Sequence, residues 1–294
     1  MRKKEKISLY IPTKNSSSYL KEVLNSLNFL EKRELIYEIL IIDFSDEEEK
    51  KKLKRIVSSL DYKIRNKIKI INQKKPGLAI ARNMAVKNSK SEIVASIDAD
   101  CVPEKSWLRI LYETLVTENA TGVGGRVIEL KKLKNIGLGD RWRAKHLKQH
   151  LGNNKIINPK FLPGANTIFY KKHLKMVGYY NELYKSNYED VDISKRLMQS
   201  GFKLVYEPRA KVYHIKKDNI FSVVKTNWAW GFYGNEPKVF YEVAKRALFN
   251  IYITLKYAII DLFNLDFDLA IIDFLILPVN FYLDLRWLLK KALN

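Results

Sequence analysis

Residues 77–108 read GLAIARNMAVKNSKSEIVASIDADCVPEKSWL. A helix-like stretch, Gly77 to Asn88, leads to Ile93-Val-Ala-Ser-Ile97, an uncharged run of strand length that ends directly in Asp98-Ala99-Asp100. In open α/β sheets ligands bind at the carboxyl ends of the strands. A buried strand that delivers two carboxylates to that edge therefore marks a candidate site, because the two charges repel unless a cation lies between them.

Upstream, the same alternation repeats. Ile7 to Ile11, Ile39 to Ile42 and Ile68 to Ile71 read as strands, separated by the amphipathic Tyr19 to Leu30 and the charged helix Asp46 to Leu60. This spacing predicts βαβ units and an α/β fold, a mostly parallel sheet flanked by helices. The strand tips are polar: Pro12-Thr13-Lys14-Asn15 after the first and Asp43-Phe44-Ser45-Asp46 after the second. Neither a glycine-rich dinucleotide loop nor a Walker loop is present, so nicotinamide and P-loop chemistry are not expected.

Downstream, the pattern is mixed. A helix over Glu104 to Thr117, a glycine-rich Thr121 to Gly125, the segment Phe161 to Thr167, a helix starting near Glu189 and short strands at Lys203 to Tyr206 and Lys211 to His214 are expected. After Pro237 the chain turns apolar. The predicted organisation is a domain over 1–236, in two parts, 1–103 and 104–236, followed by an apolar helical extension over 237–294. In that tail the longest uncharged run, Phe274 to Leu283, has ten residues, far short of the roughly 20 a membrane span needs. Two helices that pack on the domain, on each other or flat on a membrane are predicted.

The 294 residues carry 53 Lys and Arg against 32 Asp and Glu, a net +21, with 47% hydrophobic and 12% aromatic content. Such a chain buries a core, which excludes a disordered polybasic tail. The charge suggests nucleic acid or an anionic membrane surface, and its distribution narrows the choice. Arg126 to Lys175 holds 13 bases and two acids, whereas Ala247 to Asn294 holds four bases and five acids. The basic stretch is expected to face anionic lipid headgroups or a lipid-linked phosphate. The lone Cys101 excludes disulfides and cysteine zinc sites. Only Ile7 to Pro12 is apolar near the N-terminus, too short for a signal peptide, so a cytoplasmic location, peripheral on the membrane's cytoplasmic face, is expected.

Other chemical residues carry competing readings. Glu189, Asp190 and Asp192 suit either the first turn of a helix, where acids are stabilising, or a general base. His214 ends a strand and suits a structural or a metal role. His146 and His150 lack an acidic partner pattern and are expected to decorate a basic helix. Asp266-Phe-Asp268 reads as a helix junction. Trp228, Trp230, Phe232 and Tyr233 form an aromatic cluster, core or acceptor platform.

In order, these motifs resemble family-2 glycosyltransferases of the GT-A fold, over about Ile7 to Gly234. SLYIPTKNSSSYLKEVLNSL is similar to the family's first strand and nucleotide loop, EILIIDFSDEE to its second, the opening stretch to its most specific segment, and FLPGANTIFYKKHLKMVGYYNELYKSNYEDVDISKRLMQSGFKLVYEP to its acceptor and catalytic region. The resemblance implies an inverting transfer of a sugar from a nucleotide diphosphate, UDP or GDP, to a hydroxyl of a glycan or lipid-linked acceptor. Donor contacts fall on Pro12, Thr13, Asn15, Asp43, Gly77, Arg82, Asp98, Ala99 and Asp100. Mn2+ or Mg2+ falls chiefly to Asp100, with Asp98 and His214. Asp190 is the implied base, and Gly164, Ala165, Asn166, Glu189 and Trp230 line the acceptor side. One departure is the absence of glycine after Asp43. A sugar nucleotidyltransferase would carry a glycine-rich basic loop after its first strand, and a nucleic-acid binder would avoid carboxylates at strand tips. Nucleic acid is therefore not an expected partner.

Overall fold

The computed structural model describes residues 6–129 and 135–293. Lys131, Lys132 and Lys134 of the basic stretch lie outside the described residues. In chain order the elements are β1 (Ile7–Thr13), α1 (Ser17–Ser26), β2 (Ile36–Asp43), α2 (Glu47–Ser58), α3 (Tyr62–Arg65), β3 (Ile68–Asn72), α4 (Leu78–Asn88), β4 (Ile93–Ile97), β5 (Cys101–Pro103), α5 (Trp107–Thr117), β6 (Gly122–Ile128), α6 (Leu138–His146), β7 (Ile156–Ile157), β8 (Asn166–Tyr170), α7 (Lys171–Met176), α8 (Glu189–Gln199), β9 (Leu204–His214), α9 (Ile220–Phe232), α10 (Phe240–Phe263) and α11 (Phe267–Ala292).

They form two compact units, Met1–Lys132 with Gln149–Lys216, and Leu133–Lys148 with Lys217–Asn294. This division falls elsewhere than the compositional boundary at 236. The second unit begins at 217 and takes in α6 from the middle of the chain, a long-range association that composition does not register.

The first unit is the predicted α/β layer. Its sheet runs β3-β2-β1-β4-β8-β6-β9-β5, with β7 beside β9. β3, β2, β1 and β4 are parallel; β8 then runs antiparallel to both β4 and β6. The buried runs of Ile, Leu and Val in β1, β2 and β4 are continuous because both sheet faces are covered. Instead of two short strands, Leu204 to His214 is one. In its register Gly125 of β6 faces Glu207 and Arg126 faces Lys211, so Pro208, Arg209 and Ala210 bulge out. Pro208 has no N–H to give the ladder, and Arg209 bonds back to Glu207 at 2.7 and 2.8 Å to close the bulge.

The second unit consists of α6, α9, α10 and α11; its core holds Trp142, Val223, Leu269, Ile272 and Ile276, yet its two long helices also bury polar side chains and expose aromatic ones. Asn250, Thr254 and Asp261 of α10 and Asp273, Asn280 and Asp284 of α11 are buried. Phe249, Tyr252, Leu255 and Phe263 of α10, with Phe267, Phe274, Tyr282 and Leu289 of α11, are exposed. The buried carboxylates are held by partners: Asp261 by Lys145 and His146 at 2.7 and 2.9 Å, Asp273 by the Trp142 indole at 2.7 Å, and Asp284 by Trp228 and Arg246, both at 2.7 Å. Buried charges persist only when paired in this way. Burial, with Asp261 nearby, pushes Asp273 up to about 7 against the Trp142 bond that lowers it. His146 is thus enclosed rather than displayed on a basic helix.

Part of the cationic stretch is paired with distant acids, while Lys148, Lys155, Lys160, Lys172 and Lys175 are exposed. Arg141 pairs with Asp266 and Asp268, Arg143 with Asp218, Lys145 with Asp261 and Asp266, and Lys155 with Glu118. These pairs balance four of the charges within the fold.

Candidate active site

At the end of β2, Asp43 is fully buried and registers with Thr13 of β1. One carboxylate oxygen accepts from the Ser45 hydroxyl at 2.6 Å, and that hydroxyl accepts from the Asn15 backbone N–H at 2.8 Å. The Asn15 side chain in turn accepts from Asp46 N–H at 3.1 Å. Ser45 laces together the two tips where no glycine is available. Asn15 adopts a positive φ of 50°, which asparagine tolerates better than most residues. The other oxygen of Asp43 is buried and without a hydrogen-bond partner among the described residues. An acceptor held ready in this way suits an imide or amino N–H of a nucleobase. Pro12 and Thr13 are buried beside it. Gly77, at φ +147°, starts α4, and its carbonyl accepts from Gln73 at 2.8 Å.

From α4, Arg82 enters the interior, 1% exposed. Its guanidinium donates to Ser96 at 2.8 Å, to the Gly164 carbonyl at 2.9 Å, to Glu189 at 3.1 Å and to Asp98 at 3.4 Å. Burial opposes its charge, yet Asp98, Tyr10 and Glu189 hold it protonated. One side chain therefore ties the strand-tip Asp98 to Glu189, which lies 107 residues beyond Arg82. At Gly164 a Cβ would lie 2.7 Å from this guanidinium and 3.2 Å from Asp190; only glycine fits.

Asp100 follows β4 and precedes β5, where Cys101 registers opposite His214 of β9. That register brings the imidazole Nε2 to 3.6 Å from Asp100, and its Nδ1 to 2.9 Å from Glu129. Asp98, committed to Arg82, is pushed up by burial, with Asp100 and Asp190 adding to the shift. Asp100 lies beside the imidazole, whereas Asp98 lies beside the guanidinium. The donor set, two carboxylate groups and an imidazole oriented by a second acid, fits a divalent ion that completes its shell with diphosphate oxygens. Among the described residues the one trio whose ligand atoms already converge within 4.8 Å is His146, Asp261 and Asp273. There the Lys145 ammonium, 2.7 Å from Asp261, already supplies the cation.

The acid pair opens α8 behind Tyr188, whose φ of 77° puts a bulky residue in the left-handed region. Such strain concentrates at functional positions. Glu189 is 2% exposed, and burial, with Asp190 adding and Arg82 opposing, pushes it up to about 8. Asp190 is partly exposed, accepting from the N–H of Gly164 at 2.9 Å and of Val191 at 2.8 Å. Asp192 is taken by Arg196 at 2.6 Å.

A carboxyl that binds its proton more tightly folded, at about 8, than at its ordinary 4.5 contributes stability below the lower value that is lost as pH rises through the higher one. Glu189→Gln should therefore flatten the fall of Tm between about pH 5 and 8. Parallel wild-type and variant curves would show that Glu189 is ionised in the fold.

Ala99 and Ala165 are buried small residues at the edge. Asn166 is fully buried, its amide bonded to the Trp107 indole at 2.7 Å and the Ala210 carbonyl at 2.9 Å, so it braces the sheet. Trp230 belongs to the second unit, where the Arg143 guanidinium lies 5.9 Å over its ring. The residues missed from sequence are Ser45, Ser96 and Glu129. Their local patterns carry no signal; each matters through a partner on another strand or loop.

The family model for glycosyl transferase family 2 matches residues 8–178, more than half of the chain. The chain belongs to glycosyl transferase family 2. It is 25% identical over 213 residues to the pre-mycofactocin glycosyltransferase of Mycobacterium tuberculosis, covering 71% of this chain and 42% of that one. It is 24% identical over 292 residues to the poly-beta-1,6-N-acetyl-D-glucosamine synthase of Staphylococcus epidermidis, covering 94% and 66%. The chain thus spans less than half of the first of these relatives and about two-thirds of the second. The solved mannosyltransferase PcManGT of Pyrobaculum calidifontis, in complex with GDP-Man and Mn2+, superposes with a TM-score of 0.58 at 15% identity over 78% of this chain and 61% of that one. S. aureus TarS in complex with UDP-GlcNAc gives 0.56 at 17% over 73% and 59%. At these identities the likeness concerns the GT-A-like fold.

Proposed function

We propose that this family member is an inverting glycosyltransferase that moves a sugar from a UDP or GDP donor to a hydroxyl of a lipid-linked or glycan acceptor. The observation that carries this reading is the Arg82 hub, which bonds the strand-tip Asp98, Glu189 and the carbonyl of Gly164, whose N–H is held by the partly exposed Asp190. Asp43 receives the base through its unpartnered oxygen. Asp100, with Asp98 and His214, would hold a Mn2+ or Mg2+ ion. When bound, that ion neutralises charge developing on the departing diphosphate.

Asp190 accepts the proton of the acceptor hydroxyl as that oxygen bonds to the anomeric carbon. The carbon–oxygen bond to the nucleoside diphosphate breaks on the opposite face, so the configuration inverts. The Gly164 N–H holds the base in position, and Glu189 orients Arg82 from below. The activity is tested by incubating UDP- and GDP-sugars with and without Mn2+ or Mg2+ and measuring released nucleoside diphosphate. Metal-dependent hydrolysis of one donor is expected. Release from none of them, with stabilisation only by single-stranded DNA, would overturn the reading.

No described helix is long and apolar enough to cross a membrane. Peripheral membrane attachment is supported by the second unit, whose long helices turn acids inward and aromatic side chains outward. A contiguous exposed apolar face marks an interaction surface, and this arrangement suits an acyl boundary better than water. With a net +21, anionic vesicles are the preferred surface. The full chain should float with phosphatidylglycerol liposomes at low salt and retain part of that binding at high salt. Absence from the lipid fraction under both conditions refutes attachment.

A further inference from the structure

The second unit contains a cavity of about 300 Å³ bounded by the end of α6 and by α9, α10 and α11. It is about ten times the volume of one water. Asn250 and Asn280 line it and are at least nine-tenths buried. The amide of Asn280 donates to the Asn250 carbonyl oxygen at 3.4 Å. That bond leaves the Asn250 amide donor and the Asn280 oxygen without partners among the described residues. One free donor and one free acceptor, buried in the same cavity, call for a ligand that both gives and takes a hydrogen bond. A hydroxyl does so, while an alkyl chain does not.

The rest of the lining selects an amphiphile. Trp230 and Phe249 form apolar walls, and Phe249 is 61% exposed, so the cavity meets the outward apolar face. Lys148, exposed at the rim, has no ion-pair partner among the described residues. Arg246 also lines the cavity, but its charge is balanced by Asp284 at 2.7 Å. Lys148 is therefore the group available to an anion.

We propose that this cavity binds the head of a single anionic lipid carrying both phosphate and hydroxyl groups, with phosphate at Lys148, a hydroxyl on the two asparagines and the acyl chains leaving past Phe249. The proposal deepens the membrane reading and rests on it only for the source of the lipid; the binding itself requires no bilayer.

The test uses the full chain and dihexanoyl phosphatidylglycerol below its micelle concentration, followed by calorimetry or tryptophan fluorescence. Saturable binding at one site is expected, about tenfold or more tighter than that of dihexanoyl phosphatidylcholine, with inorganic phosphate and glycerol 3-phosphate failing to compete. Lys148→Glu and the double variant Asn250→Leu with Asn280→Leu should each weaken binding by about tenfold or more. The double variant should also keep or raise Tm, because replacing unsatisfied buried amides with apolar groups is neutral or stabilising. Equal affinity for both lipids, or unchanged affinity in Lys148→Glu, overturns the proposal. Flotation separates it from the membrane reading. Vesicle binding without monomer binding removes the lipid site alone, whereas monomer binding without flotation leaves the site standing and removes bilayer attachment.

Discussion

Asp190→Asn should lower turnover by about 10²- to 10⁴-fold, the contribution of a positioned general base, while donor affinity stays at the wild-type level. The substitution is nearly isosteric, and an amide oxygen still accepts from the Gly164 N–H that the carboxylate accepts from at 2.9 Å. What is lost is the ability to take a proton. Single-turnover kinetics beside calorimetric titration of the donor separates the two effects. Wild-type turnover, or donor binding that falls in step with turnover, would move the base elsewhere. Glu189 is a weak substitute because burial keeps it protonated up to about 8 and its Oε1 already accepts from Arg82.

Asp100→Ala should abolish the metal-dependent part of nucleoside diphosphate binding and leave the metal-independent part. A divalent ion contributes several kcal/mol to holding and stabilising a diphosphate, so the loss should be on the order of 10²-fold or more in affinity with Mn2+ present. His214 should remain paired with Glu129 at 2.9 Å at the ends of β9 and β6, and the β5–β9 backbone ladder does not involve the lost side chain, so the variant stays folded. The measurement is thermal shift and calorimetry with UDP and GDP, with and without metal. A metal titration like that of the wild type would return the principal ligand role to Asp98, despite its engagement with Arg82.

Much of the first unit was legible in its sequence. Strands such as Ile39 to Ile42 and Ile93 to Ile97 announce themselves by β-branched runs, and their neighbours by helical spacing. The carboxylates that follow them fall at the sheet edge because parallel strands all end on one side. The middle of the chain was less legible. β6 reads only as a glycine-rich segment, since Gly122-Val-Gly-Gly125 has little strand propensity of its own, and the start of β8 only as the end of the segment Phe161 to Thr167. Both are strands because their neighbours in the sheet pair with them.

The electrostatic reading changed most. Arg141, Arg143 and Lys145 look like a surface patch when read in sequence, yet each meets an acid 75 to 127 residues away. Coulombic attraction depends on distance in space, and sequence separation conceals it. In the proposed membrane attachment, the exposed aromatic side chains of α10 and α11 add an apolar contribution to that of the lysines of the stretch that stay exposed, such as Lys148, Lys160 and Lys172.

By itself the sequence determined the alternation of strands and helices, the family and the presence of carboxylates at strand tips. All three rest on local periodicity and on residue order along the chain. The tertiary structure alone decided that Arg82 meets Glu189, that His214 stands between Asp100 and Glu129, that Asp43 keeps one oxygen unpartnered, and that the long helices bury their acids. Each of these depends on which distant side chain is available to satisfy a buried charge or hydrogen bond. That partner is chosen only when packing removes water.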